Sequence, residues 1–353
     1  MKKYLFGGLY GLLLTSFTTY VLLDTFVISH VYENVSTVQE ADVSATETEV
    51  TEETTQDVLQ TVSTTEDNGT YALLTYDVSE SVVQETTAQA PDEQTLEPAE
   101  AQDTAEVTAP VVSDGSYQDE NISIEISEYY VNDTTVYVAD VQVSSAEYLK
   151  TALAQNAYGK NVTATTSEIA SDNNAILAIN GDYYGAQEKG YVLRNGTLYR
   201  NTASKNQEDL VIYADGSFAI INESEVSAED LLAQGAEQIL SFGPALVMNG
   251  GIAVTADEEV GKAKTSNPRT AIGILSEGHY VFVVSDGRTD ESEGLTLYEL
   301  AEFMQGLGVQ TAYNLDGGGS STMVFNGELV NNPTTSGKSI KERSVSDIVY
   351  IGY

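Results

Sequence analysis

Asp316 is followed by Gly317, Gly318, Gly319, Ser320, Ser321 and Thr322, and Tyr313-Asn314-Leu315 leads into it. A carboxylate in this company can serve as a base or a nucleophile, with hydroxyl donors beside it. Three adjacent glycines weaken any helix or strand, so they belong where the backbone takes positive φ or lies close against another group. The N–H groups of such a loop can converge on an anion, and Ser320, Ser321 and Thr322 add donors. The same residues also read as a tight Asp-Gly turn between two strands.

Three more segments have this character: Asn180-Gly181-Asp182-Tyr183-Tyr184, Asn267-Pro268-Arg269-Thr270 and Ser285-Asp286-Gly287-Arg288. Asp182, Asp286 and Asp316 each follow an apolar run and adjoin glycine, which predicts strand ends facing a common cleft. Cleaving a glycosyl bond needs an acid or base and often a nucleophile, roles that carboxylate pairs supply. The five arginines are Arg194, Arg200, Arg269, Arg288 and Arg343. Arg269 and Arg288 lie in these segments, and Arg343 lies in Glu342-Arg343-Ser344-Val345-Ser346-Asp347. A planar bidentate donor beside a glycine turn is what phosphate binding requires. The other reading is that each arginine neutralises a nearby carboxylate; Asp286 could equally cap or pair with Arg288. Arg194, ahead of Asn195-Gly196, reads as a solvated strand-end residue. Tyr183 and Tyr184 suit either sugar stacking or surface packing.

In this order the segments resemble the phosphodiester glycosidase family, whose animal member uncovers mannose 6-phosphate by removing N-acetylglucosamine. The resemblance spans about 174–353 and bears little on the substrate. It implies Asp316 as the base or nucleophile, Asp182 as its partner, Asp286 as a third candidate, and Arg269, Arg288 and Arg343 as phosphate ligands. Asn180, Gly181, Asn314 and the loop Gly317, Gly318, Gly319, Ser320 and Ser321 would then position phosphate or sugar hydroxyls. Ser320 or Ser321 as nucleophile is the alternative, although neither sits in Gly-x-Ser-x-Gly.

The absence of cysteine excludes disulfides, thiolate metal sites and cysteine nucleophiles, and leans toward a bacterial surface protein. His30 and His279 are the only histidines, so neither a Ser-His-Asp triad nor a His-rich zinc site is expected. No cofactor is called for; a divalent cation on the oxygens of Asp182, Asp286 or Asp316 stays open. The net charge is -39, with 15 Lys+Arg against 54 Asp+Glu, which leaves no basic face for nucleic acid.

These residues require an α+β domain, 116–353, with a substantial, largely antiparallel sheet and flanking helices. Turn signals at Asn132-Asp133, Asn195-Gly196 and Asp215-Gly216 predict hairpins. Helices are predicted over 146–155, 165–172 and 296–307, the last with Leu297, Leu300, Ala301, Met304 and Leu307 on one face. The stretch 33–115 holds 20 acidic residues and no basic one, which predicts a disordered tether. Ahead of it, Lys2 and Lys3 precede the apolar span 4–23, about the length that crosses a bilayer. No small-x-small cleavage site follows, so 1–32 reads as a retained anchor with the rest outside the cell.

The expectation is a membrane-tethered extracellular hydrolase of sugar-1-phosphodiester linkages in envelope glycopolymers. The alternative is a non-catalytic glycan-binding or scaffold protein of the same fold.

Overall fold

A computed structural model describes residues 2–32, 110–256 and 266–353, without the side chains of 2–11, 25 and 26. The tether predicted over 33–115 therefore falls almost wholly outside the described residues. Its last residues do not: Val111–Val112 is a strand pairing with Ser116–Gln118, so the sheet begins ahead of Ser116.

Three antiparallel sheets share one core. In the nine-stranded sheet, Arg269–Ser276 lies between Thr311–Asn314 and His279–Ser285, and the hairpin Ile122–Val131/Thr134–Val143 extends it. Asn132 and Asp133 turn that hairpin with φ of 48° and 52°, the left-handed pair that a two-residue turn demands. A five-stranded sheet sets Leu177–Asn180 between Met323–Phe325 and Asp347–Ile351. A second five-stranded sheet contains Val192–Arg194, Ala236–Leu240 and Glu208–Tyr213. Ile272, Phe282 and Tyr313 of the first, Ile179 and Val349 of the second, and Leu210 and Leu240 of the third meet in a single apolar cluster.

Helices are few. Thr166–Asp172 and Leu297–Gly306 each start on a capping box, Thr165 with Glu168 and Thr296 with Glu299, which satisfies N–H groups that the first turn leaves free. Leu297, Leu300, Ala301 and Met304 bury against the outer face of the nine-stranded sheet. The helix predicted over 146–155 is not one. Ala146–Tyr148 forms a single 3-10 turn, and Leu149–Leu153 is a strand paired along its length with Asp347–Ile351. Leu149 and Ala152 bury on opposite faces of that strand, a fit to the sheet that outweighs helix propensity.

Lys2–Phe26 is a helix of 25 residues, followed by His30–Val31, which pairs with Gly159–Lys160. Among the described residues, no helix is long and apolar enough to cross a membrane.

Candidate active site

Two strands deliver the leading carboxylates. Leu177–Asn180 ends two residues before Asp182, and Thr311–Asn314 ends two residues before Asp316. Asn180 ties the two ends together: its buried Nδ2 donates to the Asp316 carbonyl at 2.6 Å, and its Oδ1 accepts from Thr270 Oγ1 at 2.8 Å and from Thr322 N at 3.2 Å. With a carbonyl and two donors on it, Asn180 positions the Asp316 loop through side-chain chemistry that a hydrophobic residue of equal size lacks.

Asp316 Oδ2 accepts from Ser320 Oγ at 2.6 Å and from Arg343 Nη2 at 2.8 Å. Arg343 also donates from Nε to Ser320 Oγ at 2.8 Å, and its Nη2 lies close against the same oxygen. Burial raises the Asp316 pKa, and Arg343 and Ser320 only partly offset it. The result is a carboxyl group of strengthened basicity beside a half-exposed guanidinium, whose Nη1 is not used in these bonds.

Asp182 is held differently. Its Oδ2 accepts from Arg194 Nη2 at 2.8 Å and from Ser241 N at 2.8 Å, and its Oδ1 from Tyr184 N at 2.9 Å. Arg194 is therefore no solvated strand end. It is 2 % exposed and bridges Asp182 to Asp347, reaching Asp347 Oδ2 from Nε at 3.0 Å and from Nη2 at 2.7 Å. Its Cζ lies 5.6 Å from the Tyr184 ring centroid, and Nη1 donates to the Leu193 and Ile239 carbonyls. Inside the protein, two carboxyl groups flank the charge and two carbonyls satisfy the remaining donors. That arrangement permits burial.

Asp347 belongs to the terminal segment named above, yet its side chain gave no sign of a role. It is fully buried, and burial together with the charge of Asp182 pushes its pKa up to about 8, against the pull of Arg194. Gly181 makes room for it, since a Cβ there would stand 2.4 Å from Asp347 Oδ1. Gly181 thus has a packing reason that the sequence reading, with its ligand role, did not contain. The sign of the linkage follows. Between about pH 4 and 8 the folded state holds a proton on Asp347 that the unfolded chain has released, so stability falls as pH rises through that window. Denaturation midpoints should show a decline of at most ~1.4 kcal/mol per pH unit from this group. Asp347→Asn should flatten the decline without abolishing it, because Asp316 and Asp209 are also raised by burial. Equal slopes in both proteins would refute the assignment.

The three glycines serve packing more than anion capture. A Cβ at Gly317 would meet the Pro268 carbonyl at 2.9 Å, one at Gly318 the Arg288 Nη2 at 2.8 Å, and one at Gly319 the Thr335 Oγ1 at 2.4 Å. Gly318–Ser320 forms a 3-10 turn. The N–H groups of Gly318, Ser320 and Ser321 donate to the Pro268, Gly317 and Gly318 carbonyls rather than converging outward. Ser321 is fully buried, and Asn314 donates from Nδ2 to the Gly243 carbonyl at 2.8 Å.

A cavity of about 210 Å³ has Asp182, Tyr183, Gly185, Asp316, Arg343 and Ser346 among its walls. Arg269 and Arg288 are not brought into it. They stand behind the glycine loop, Arg269 donating from Nε to the Leu295 carbonyl at 2.8 Å and Arg288 holding Asn267 Oδ1 and the Thr335 carbonyl. Asp286 is also elsewhere, accepting from Asn332 N at 2.8 Å, Asn332 Nδ2 at 3.0 Å and Asn331 Nδ2 at 3.2 Å. Among the described residues, no group of three or more His, Cys, Asp or Glu is placed to hold a metal ion.

A model of the phosphodiester glycosidase family matches residues 173–352. An uncharacterized protein of the SPbeta prophage of Bacillus subtilis (strain 168) is 27% identical over 270 residues, 71% of this chain and 41% of that protein. Mouse N-acetylglucosamine-1-phosphodiester alpha-N-acetylglucosaminidase is 32% identical over 188 residues, 48% of this chain and 36% of the enzyme. The chain thus spans well under half the length of the curated relatives it matches. Among solved structures, the zebrafish N-acetylglucosamine-1-phosphodiester alpha-N-acetylglucosaminidase catalytic domain, auto-inhibited by its pro-peptide, superposes with a TM-score of 0.53. It shares 22% identity and covers 66% of this chain and 83% of that one.

Proposed function

The chain belongs to the phosphodiester glycosidase family, and from that premise we propose that it hydrolyses glycosyl phosphodiesters, breaking the bond between a sugar's anomeric carbon and the phosphate oxygen. The observation that carries this reading is the pairing of Asp316 with Arg343, both bonded to the buried Ser320 behind them, in the wall of a cavity that also contains Asp182. Asp316 acts as base toward water or as nucleophile toward the anomeric carbon. Burial raises its pKa toward the range where a base is effective near neutral pH. Arg343 neutralises the departing phosphate, so a phosphate monoester leaves with little need of a general acid. Asp182 is fixed by Arg194 and lines the same cavity, and the half-exposed ring of Tyr183 offers a face to the sugar.

The substrates in this reading are phosphate-linked sugars of envelope glycopolymers. The apolar span 4–23 behind Lys2 and Lys3, with the acidic stretch after it, supports a domain held outside the cell at its membrane. Incubating the full chain with N-acetylglucosamine 1-phosphodiesters and with purified envelope glycopolymers should release free sugar together with a new phosphate monoester. Binding without release from any of them would make the protein a glycan-binding module, and recovery of the native protein in the cytosolic fraction would overturn the placement.

A further inference from the structure

Gly185 belongs to the walls of two cavities. One holds Asp182 and Asp316; the other, of about 270 Å³, is enclosed by Tyr32, Tyr158, Lys160, Tyr184, Gln187 and Arg200, with Glu188 at its rim. Arg200 is only 9% exposed and, among the described residues, has no carboxylate partner. Its Nε donates to the Gly190 carbonyl at 2.6 Å, and its Nη1 to the Gln187 carbonyl at 2.6 Å and the Tyr184 carbonyl at 3.1 Å. Among the described residues, its Nη2 is buried without a well-formed hydrogen bond. A buried charged donor left unpaired is costly, and an acceptor arriving in the cavity would relieve that cost. The bland explanation, an internal ion pair of the kind that holds Arg194, does not apply here.

The remaining walls agree on the kind of acceptor. Tyr158 stacks on Tyr184 with ring centroids 5.4 Å apart at 17°, and Tyr32 and Tyr199 lean on Tyr158 at 5.8 and 5.1 Å. The Tyr158 hydroxyl lies within reach of the Arg200 guanidinium, whose charge and hydrogen bonding work against the rise in pKa that burial imposes, so a ligand acceptor here would share the guanidinium with a tyrosine. Lys160 supplies a second cation; its Nζ lies 3.7 Å from Glu188 Oε1, on a carboxylate 85% exposed and free to swing into water. In a chain of net charge -39, a cavity with two cations against one exposed carboxylate is set apart from its surroundings. A phosphate has oxygens enough to take the Arg200 Nη2, the Lys160 ammonium and a tyrosine hydroxyl together, whereas a carboxylate has two.

We propose that this cavity is a second anion subsite, which binds a further phosphate of the substrate beyond the phosphodiester that is cleaved. The inference deepens the hydrolase reading and rests on it for the identity of the ligand: the preferred substrates are sugars in a chain that repeats phosphates, not isolated diesters.

Two measurements on the full chain keep the subsite and the hydrolase reading separable. The first is calorimetric binding of glycerol 3-phosphate, which needs no turnover. Lys160→Ala should weaken it about fivefold or more, and Arg200→Lys, which keeps a charge but loses the planar fork, should weaken it too. Lys160 is partly exposed, so its variant tests the site even if Arg200→Lys folds poorly. The second compares two N-acetylglucosamine 1-phosphodiesters, one esterified with methanol and one with glycerol 3-phosphate. The ratio of their kcat/KM values should favour the phosphate-bearing ester in the native protein and fall about tenfold in Lys160→Ala. Binding and ratio both unmoved by the substitution would overturn the subsite. Binding that responds while neither ester is hydrolysed would uphold the subsite and remove the hydrolase reading.

Discussion

Asp316→Asn should lower kcat on any glycosyl phosphodiester that the protein cleaves by ~10²- to 10⁴-fold, the range that a positioned acid–base or nucleophilic group supplies. Stability should hardly change, because Asn fills the same space and still accepts from Ser320 Oγ, which bonds Asp316 at 2.6 Å. What it would lose is the charge pairing with Arg343, whose side chain is 40% exposed, so water can take over the solvation of that charge. Arg343→Ala should fail differently, raising KM and lowering kcat together, and its loss should shrink when the leaving group bears less charge. Steady-state kinetics beside a denaturation curve for each variant makes the comparison. Near-normal turnover in Asp316→Asn, with turnover abolished in Asp182→Asn or Ser320→Ala, would move the chemistry off Asp316 while leaving the cavity as its place.

What could be read from the sequence was what is encoded locally. The Asn132-Asp133 turn needs left-handed backbone at two adjacent residues, and the helix starts at Thr165 and Thr296 need a hydroxyl and a glutamate three residues on. Such signals lie within four residues and survive reading without a structure. The segment 146–155 carried a helical pattern, but pairing with Asp347–Ile351, some two hundred residues later, made it a strand. The site divides along the same line. Asp182, Asp286 and Asp316 look alike in sequence, each a carboxylate beside glycine at a strand end. Only the distant Asn331 and Asn332, which occupy both oxygens of Asp286, separate it from the other two. Arg194 was misread for that reason also, since its neighbours Asn195 and Gly196 announce a surface turn while its two carboxylate partners come from elsewhere in the chain. The glycine run was correctly picked out as special. Its reason, close approach to Pro268, Arg288 and Thr335, needed the fold.

Arg194→Met should destabilise the protein by ~3–5 kcal/mol, the cost of removing one partner from a buried ionic group. Both partners are as deeply buried as Arg194 itself, and neither has water to turn to: the side chains of Asp182 and Asp347 are 0% exposed. The loss should depend on pH. Arg194 draws the Asp347 pKa down to about 8 in the native protein; without it Asp347 keeps its proton to higher pH, and the proton uptake this requires on folding makes the loss grow as pH rises past 8. Denaturant midpoints should therefore separate further at pH 9 than at pH 6. Arg194→Lys should recover little, because one ammonium cannot give two bonds to Asp347 Oδ2, reach Asp182 and donate to the Leu193 and Ile239 carbonyls at once. Adding Asp347→Asn to Arg194→Met should restore part of the loss, since it removes a buried acid that the variant must keep protonated, and the non-additivity measures the coupling. A loss under ~1 kcal/mol, or one equal at both pH values, would mean that the bridge between Asp182 and Asp347 does not hold the cavity wall in place.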